Sequence, residues 1–128
     1  ADRLGAVDEN GHFVDSHKVF MLLMKYLYEE KKKRGAVAKT IALTSMVNKY
    51  CEKYGIKLYE LPIGFKHVSK LMATEKILIG GEESGGLGTI IHIPERDGIF
   101  NGMLLLEMMA KRKKKLSELV EELEDEFG

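Results

Sequence analysis

"KILIGGEESGGLGTIIHIP", residues 76–94, contains two apolar runs separated only by the glycine-rich loop "GGEESGG" at 80–86. Short apolar runs bounded by glycine or proline read as strands. The gap between "KILIGG" and "GTIIHIP" leaves no room for a crossover helix, so these two strands are antiparallel neighbours. This fixes one edge of the sheet, and the chain before it supplies the rest. "GAVAKTIALTS" (35–45) is nearly continuous in apolar residues and reads as a buried first strand, and "IKLYELP" (56–62) as a second. Between them Thr44-Ser45 is a helix-capping pair, Val47, Tyr50, Cys51 and Tyr54 line one helical face, and Gly55 stops the helix. "GFKHVSKLM" (64–72) reads as a loop turning into a short helix.

Outside this block the pattern is helical, apart from the start. "LGAVDENGHFV" (4–14) carries Asn10-Gly11 between short apolar runs, a hairpin signal, and "DRLGAV" (2–7) reads as a strand. In "VDSHKVFMLLMKYLYEEKKKRG" (14–35), Asp15 or Ser16 caps a helix whose face is Val19, Phe20, Leu23 and Leu27. Its basic end reads as cations complementing a helix C-terminus, not as a phosphate site. Asp97 caps a further helix with Leu104, Leu105, Met108 and Met109 as core, and Leu116, Leu119, Val120, Leu123 and Phe127 form the stripe of a last one. Strand–helix alternation closing on two adjacent strands predicts an α/β fold, a small and mostly parallel sheet covered on both faces.

Composition narrows the function classes. The 128 residues have zero net charge, so bulk electrostatics give no argument for nucleic acid or an acidic membrane as partner. No apolar run is long enough to span a bilayer, and the first residues have no apolar core of a signal peptide. The single cysteine, Cys51, excludes an internal disulfide and a cysteine-based zinc site, and points to a reducing, cytoplasmic setting. His12, His17, His67 and His92 have no metal-like spacing. The chain starts at Ala1 without a methionine and ends at "EELEDEFG", which reads as a piece of something larger.

In α/β sheets ligands gather at the carboxyl ends of the strands. Three polar loops are predicted there: "TS" after the first strand, "GFKH" after the second and "GGEESGG" after the third. Lys66 opens a helix and reads either as a mobile cation for an anionic ligand or as a surface lysine. Lys39 sits inside "VAKTIAL", where a charge must snorkel, pair or face a site. Glu82 and Ser84, two apart among glycines, suit a hydroxyl-rich partner such as a sugar: the carboxylate accepts, the serine donates and accepts. A nucleotide loop would open a helix and take the form GxxxxGK[ST] or GxGxxG, whereas this loop opens a strand. The other reading of "GGEESGG" is a tight acidic turn without a ligand.

Several stretches resemble the α-D-phosphohexomutase family, the phosphoglucomutases and phosphomannomutases. "GGEESGG" resembles its sugar-recognition loop G-E-x-S-G, "PIGFKHVSKLM" (62–72) its third-domain segment vGFKhi, and "ERDGIFNGMLLLEMM" (95–109) the helix start DGi. "ADR" (1–3) is similar to the tail of the metal loop D-x-D-x-D-R. The resemblance implies a four-domain parent that interconverts hexose 1-phosphate and hexose 6-phosphate through a phosphoserine and a bisphosphate intermediate, with Mg2+ as cofactor. It implies a three-layer α/β/α fold with a mixed four-stranded sheet, the fourth strand antiparallel. Residues 1–15 would then be the end of metal-binding domain two and 16–128 the sugar-recognition domain three, with domains one, two and four of the same polypeptide as partners. By the same resemblance Glu82, Ser84, Lys66, Lys39, Gly64 and His67 contact the substrate, Asp2 is a metal ligand and Arg3 a catalytic residue. The phosphoserine motif is absent here, and only Asp2 of the three metal-loop aspartates is present, so these residues alone are expected to be inactive. Gly86 stands where phosphoglucosamine mutases commonly have histidine, which favours glucose or mannose phosphates. The alternative is a stand-alone module that binds a sugar or nucleotide without catalysis.

Overall fold

The computed structural model describes residues 2–127, so Ala1 of the "ADR" stretch lies outside the described residues. The chain runs β1 (Ala6–Val7), β2 (Phe13–Val14), α1 (Ser16–Lys25, continuing as one π-helical stretch over Tyr26–Glu30), β3 (Ala36–Thr40), α2 (Met46–Tyr54), β4 (Leu58–Leu61), α3 (Phe65–Thr74), β5 (Ile77–Gly81), β6 (Leu87–Thr89), α4 (Gly98–Arg112) and α5 (Leu116–Phe127). The main sheet has the order β4-β3-β5-β6. β3 is parallel to β4 and to β5, and β5 is antiparallel to β6. The expected mixed four-stranded sheet with an antiparallel fourth strand is therefore observed.

Side-chain parity along the strands defines two faces. Ala38 and Ile77 pack with Phe65 and Val68 of α3, which covers one face alone. Val37 and Ile79 join α1, α2, α4 and α5 in the larger core on the other face. The register of β3 against β5 slips between Ala36 and Val37, which pair with Ile77 and Ile79, so Leu78 is an extra residue in β5. The slip is why Ile77 and Ile79, two apart, serve opposite faces.

α1 is more deeply placed than its predicted face implied. Every residue from Val19 to Leu27 is buried, because the helix touches the sheet on one side and α4 and α5 on the other. A helix apolar all round fits only such a position. Asp15 caps it, accepting from the Lys18 N–H at 3.0 Å.

Four local expectations change. The hairpin turn is organised by Asp8, whose carboxylate accepts from the Asn10 and His12 N–H groups at 2.9 Å each. Gly11 alone takes positive φ there, at 82°. "DRLGAV" is a strand only over Ala6–Val7, with Arg3 forming a separate bridge to Gly86. The fourth strand ends at Thr89, not near Pro94. Ile90 and Ile91 are adjacent apolar residues that cannot both face the core of a pleated strand, and His92 turns to bond Asp97 at 2.8 Å and stack on Phe100 at 4.2 Å. Thr44 and Ser45 also exchange roles: Ser45 is the cap residue of α2 by position, but the Thr44 hydroxyl accepts from the Met46 N–H at 3.2 Å.

Candidate functional site

The carboxyl ends of β3, β4 and β5 share one end of the sheet, because the three strands are parallel. β5 delivers Gly81 and then Glu82 to that end, and the antiparallel return of β6 forces a tight loop. The Glu82 N–H donates to the Gly86 carbonyl at 3.0 Å, and the Gly85 N–H to the Glu82 carbonyl at 3.1 Å. Glu83 and Ser84 form the tip.

Both flanks of the loop are tied down. The Leu4 N–H donates to the Gly85 carbonyl at 3.1 Å, next to the Arg3–Gly86 bridge. Gly85 has φ of +100°, and a Cβ there would stand 2.8 Å from the Leu4 carbonyl oxygen, so glycine is required on two grounds. Toward the sheet, the Thr40 hydroxyl donates to a Glu83 carboxylate oxygen at 2.7 Å, and the Ser16 hydroxyl donates to the Glu83 carbonyl at 2.5 Å. Thr40 is fully buried. Glu83 therefore anchors the loop to the end of β3 and the start of α1, which leaves Glu82 and Ser84 as the loop's free chemistry. Ser84 is exposed, and its hydroxyl has no hydrogen bond among the described residues.

Glu82 is 5% exposed. A carboxylate so placed needs a counter-charge or hydrogen-bond donors. Arg96, in the loop before α4, supplies it, with Nη1 at 3.5 Å from Oε1. The same guanidinium lies over the Phe65 ring at 5.4 Å and has Nη2 at 3.6 Å from the Asp2 carboxylate. Phe65 precedes Lys66 at the start of α3, so Arg96 joins the glutamate loop to the lysine loop. Sequence reasoning passed over Arg96, Glu83 and Thr40. The available signals were a cation two residues from an apolar helix start in "IPERDGIF", and a threonine in an otherwise apolar strand.

Lys66 is exposed on the first turn of α3, Gly64 caps that helix with φ of 124°, and His67 is half-buried with its N–H on the Gly64 carbonyl at 3.3 Å. Arg3 has an exposed side chain while its backbone bridges to Gly86. Asp2 is exposed and meets Arg96. Among the described residues no three His, Cys, Asp or Glu side chains cluster as a metal site, so Asp2 has no companion ligands there.

Lys39 occupies a different neighbourhood. It is 3% exposed and donates to the Leu43 carbonyl at 2.9 Å and the Thr44 carbonyl at 3.3 Å. It lines a cavity of about 680 Å³ whose walls include His17, Thr44, Asn48 and Glu60, and not Glu82, Ser84 or Lys66. Burial lowers the Lys39 ammonium from its ordinary value, because charge is penalised where water is excluded, and Glu60 opposes that shift. His17 accepts from the Thr44 N–H through Nδ1 at 3.1 Å, so its role is structural at that nitrogen. Cys51 is buried in the core, and desolvation pushes its thiol up to about 11.

Comparison with known proteins gives a consistent set of relatives. Residues 15–127 match the family model described as phosphoglucomutase/phosphomannomutase, alpha/beta/alpha domain III. The chain is 38% identical over 120 residues to a phosphoglucosamine mutase of Campylobacter curvus, covering 93% of this chain and 27% of that protein. It superposes on a Thermus thermophilus protein assigned as a phosphomannomutase with a TM-score of 0.91 and 39% identity, over 98% of this chain and 28% of that one. It superposes on the Paramecium phosphoglucomutase parafusin, in its open form, with a TM-score of 0.85 and 30% identity, over 100% of this chain and 23% of that one. The chain thus spans about a quarter of the length of the relatives it matches. No helix among the described residues is long and apolar enough to cross a membrane.

Proposed function

The chain belongs to the α-D-phosphohexomutase family, as its third α/β/α domain, and from that premise we propose that it supplies sugar recognition to a mutase that interconverts hexose 1-phosphate and hexose 6-phosphate. The observation that supports this reading is the pair Glu82 and Ser84. One is a nearly buried carboxylate held by Arg96, the other an unspent hydroxyl, and both stand on a loop whose other polar groups are already satisfied. Glu82 accepts from sugar hydroxyls, and Ser84 donates or accepts. Contacts to hydroxyls tolerate a sugar ring turned end over end, which a bisphosphate intermediate requires when its two phosphates exchange places. Lys66, exposed at the start of α3 beside Gly64 and His67, is available for the anionic end of the substrate. Lys39, spent on two carbonyls of its own chain, supports the loop after β3 instead.

The phosphoserine and the rest of the metal site belong to the other parts of a longer polypeptide in this reading, with residues 1–15 the end of domain two and 16–128 domain three. Mg2+ demands several oxygen ligands in near-octahedral geometry. Asp2 alone does not meet that need, so no step is derived through the metal from these residues. Arg3 sits against the loop at Gly86 and is the member of the metal-loop tail best placed to act beside the sugar site. The substrate is a glucose or mannose phosphate, on the ground that Gly86 stands where phosphoglucosamine mutases commonly have histidine. A glucosamine phosphate is the second reading, favoured by the name of the Campylobacter relative.

The test is kcat/KM of the full-length parent with glucose 1-phosphate, mannose 1-phosphate and glucosamine 1-phosphate in turn, for wild type and Glu82→Gln. Loss of a charge-assisted hydrogen bond of about 1.5–3 kcal/mol lowers kcat/KM roughly ten- to hundredfold. Serine phosphorylation should persist in the variant. Unchanged kinetics would remove Glu82 from the sugar contact. The 128-residue chain alone is expected to give no turnover with glucose 1-phosphate and a bisphosphate primer.

A further inference from the structure

Glu82 is 5% exposed, and among the described residues no side chain of its own loop donates to its carboxylate. Its counter-charge comes from fourteen residues further along, and the fold goes to some length to bring it there. The segment before α4 is pinned to α3 by the Ser69 hydroxyl on the Pro94 carbonyl at 2.7 Å, and to β6 by the Asp97 N–H on the Leu87 carbonyl at 3.2 Å. The guanidinium then lies on the face of Phe65. A Cβ at position 86 would stand 2.6 Å from Arg96 Cδ and 2.8 Å from Glu82 Oε1, so glycine at 86 leaves the space the pair occupies.

The guanidinium is shared among three carboxylates, Glu82 at 3.5 Å, Asp2 at 3.6 Å and Glu95 at 3.7 Å. None of these is as short as a closed charge-assisted hydrogen bond, about 2.7–2.9 Å. Nε is buried with no hydrogen bond among the described residues. Arg96 therefore acts on Glu82 as a nearby charge of fixed position, without claiming both carboxylate oxygens. The carboxylate keeps accepting capacity for a sugar hydroxyl.

We propose that Arg96 is the positioning residue of the glycine loop: it holds the Glu82 side chain oriented for a sugar hydroxyl, and Gly86 is small so that it can. The proposal rests on reading residues 80–86 as the sugar-recognition loop. Arg96 acts through Glu82, so its effect should vanish once Glu82 can no longer carry charge. The experiment is a double-mutant cycle in the full-length parent, measuring kcat/KM for the preferred hexose 1-phosphate in wild type, Arg96→Gln, Glu82→Gln and the double variant, with Arg96→Lys as the conservative control and thermal midpoints for all. Arg96→Gln is expected to lower kcat/KM roughly ten- to hundredfold, the scale of one charge-assisted hydrogen bond. In the Glu82→Gln background the same change should cost less than about threefold, since coupled residues are not additive. Arg96→Lys should recover much of the loss, because a point charge can still face the carboxylate. Equal factors in both backgrounds, or no effect of Arg96→Gln in wild type, overturns the proposal. If Glu82→Gln itself is silent, the sugar-loop reading falls and this inference with it. If Glu82→Gln is impaired but the cycle is additive, only the inference falls.

Discussion

Gly85 and Gly86 are neighbours in one loop, and the same substitution to alanine should have unequal consequences at the two positions. At Gly85 the backbone has φ of +100°, and the new Cβ would meet the Leu4 carbonyl oxygen at 2.8 Å. A side chain in that backbone region costs about 1–3 kcal/mol. The obstacle is backbone, which cannot swing aside, so the Leu4–Gly85 hydrogen bond is lost as well, at about 1 kcal/mol net. The sum is about 2–4 kcal/mol. At Gly86 the backbone is not in the left-handed region, and the obstacles are Arg96 Cδ at 2.6 Å and Glu82 Oε1 at 2.8 Å, both toward the ends of flexible side chains. Displacing them by one off-rotamer adjustment costs about 0.5–1.5 kcal/mol. The entropy that alanine removes from the unfolded chain is the same at both sites and cancels in the comparison. For a domain of this length 1 kcal/mol shifts the midpoint by roughly 4 °C. Gly85→Ala should therefore lower the thermal midpoint by about 8–16 °C, and Gly86→Ala by less than about 6 °C, read by circular dichroism. In the full-length parent the order reverses per degree lost, since Gly86→Ala displaces the Glu82–Arg96 pair and lowers kcat/KM. A Gly86→Ala midpoint as low as that of Gly85→Ala would refute the reasoning, because Arg96 would then be as immovable as backbone.

Cys51, fully packed and with its thiol near 11, should react with iodoacetamide at pH 8 far more slowly in the folded chain than in urea, and equal rates would contradict its burial. Lys39 has its folded value lowered by burial from an ordinary 10.5, so between the two values the unfolded chain holds a proton that the folded chain releases, and stability contributed by this group rises with pH through that window. Tyr26 and Tyr50 act oppositely: burial raises both above 10.0, so their contribution is complete below that value and declines as pH climbs past it. Urea unfolding of wild type and Lys39→Met between pH 8 and 10 isolates the lysine, with the wild type expected to gain relative to the variant as pH rises. Parallel curves would show that Lys39 is not penalised by its surroundings.

The sheet was legible because its order follows from gap lengths. Nothing but a tight return fits between Gly81 and Leu87, and nothing but a helix fits between Thr40 and Leu58. Helix caps were legible at Asp97, and at Asp15 as one of two candidates with Ser16, where a carboxylate precedes an apolar periodic run and accepts from the first turn. What could not be read was anything that depends on two distant segments meeting. The slip that makes Leu78 an extra residue in β5 shows only in its pairing with β3, about forty residues earlier in the chain. The early end of β6 is a local matter by contrast, set by the adjacent Ile90-Ile91 pair and by His92 turning to Asp97 and Phe100. In the site, Glu82 and Ser84 stood out from local composition. Their neighbour Glu83 looked equivalent in the sequence, and only Thr40, forty-three positions away, assigns it to anchoring. Lys39 and Lys66 likewise looked like two halves of one cleft. β3 sends Lys39 to the face shared with α2, where it caps the carbonyls of Leu43 and Thr44, while Lys66 stays exposed on α3.

The glycines of the loop carry a more general point about how such a stretch signals a ligand. Gly80 faces Val68, whose Cγ1 would stand 2.4 Å from an added Cβ, and Gly81 faces Phe20 Cδ2 at 2.7 Å. Gly85 is required by the Leu4 backbone, and Gly86 leaves room for the Arg96 and Glu82 side chains. Each of the four is therefore explained by this chain's own packing, without any ligand approaching the backbone. Glycine content alone is then no argument for a phosphate or a sugar in this loop. A ligand is signalled instead by the groups that packing leaves over. Glu83 is consumed by Thr40 and Ser16, while Glu82 is held at 3.5 Å from a guanidinium that does not close on it. A buried carboxylate that is neutralised yet not fully hydrogen-bonded is energetically unfavourable unless something completes its set of partners. A neutral donor such as a sugar hydroxyl completes it. A phosphate would bring two negative groups together and add to the acidic excess that Asp2, Glu82 and Glu95 already place around Arg96.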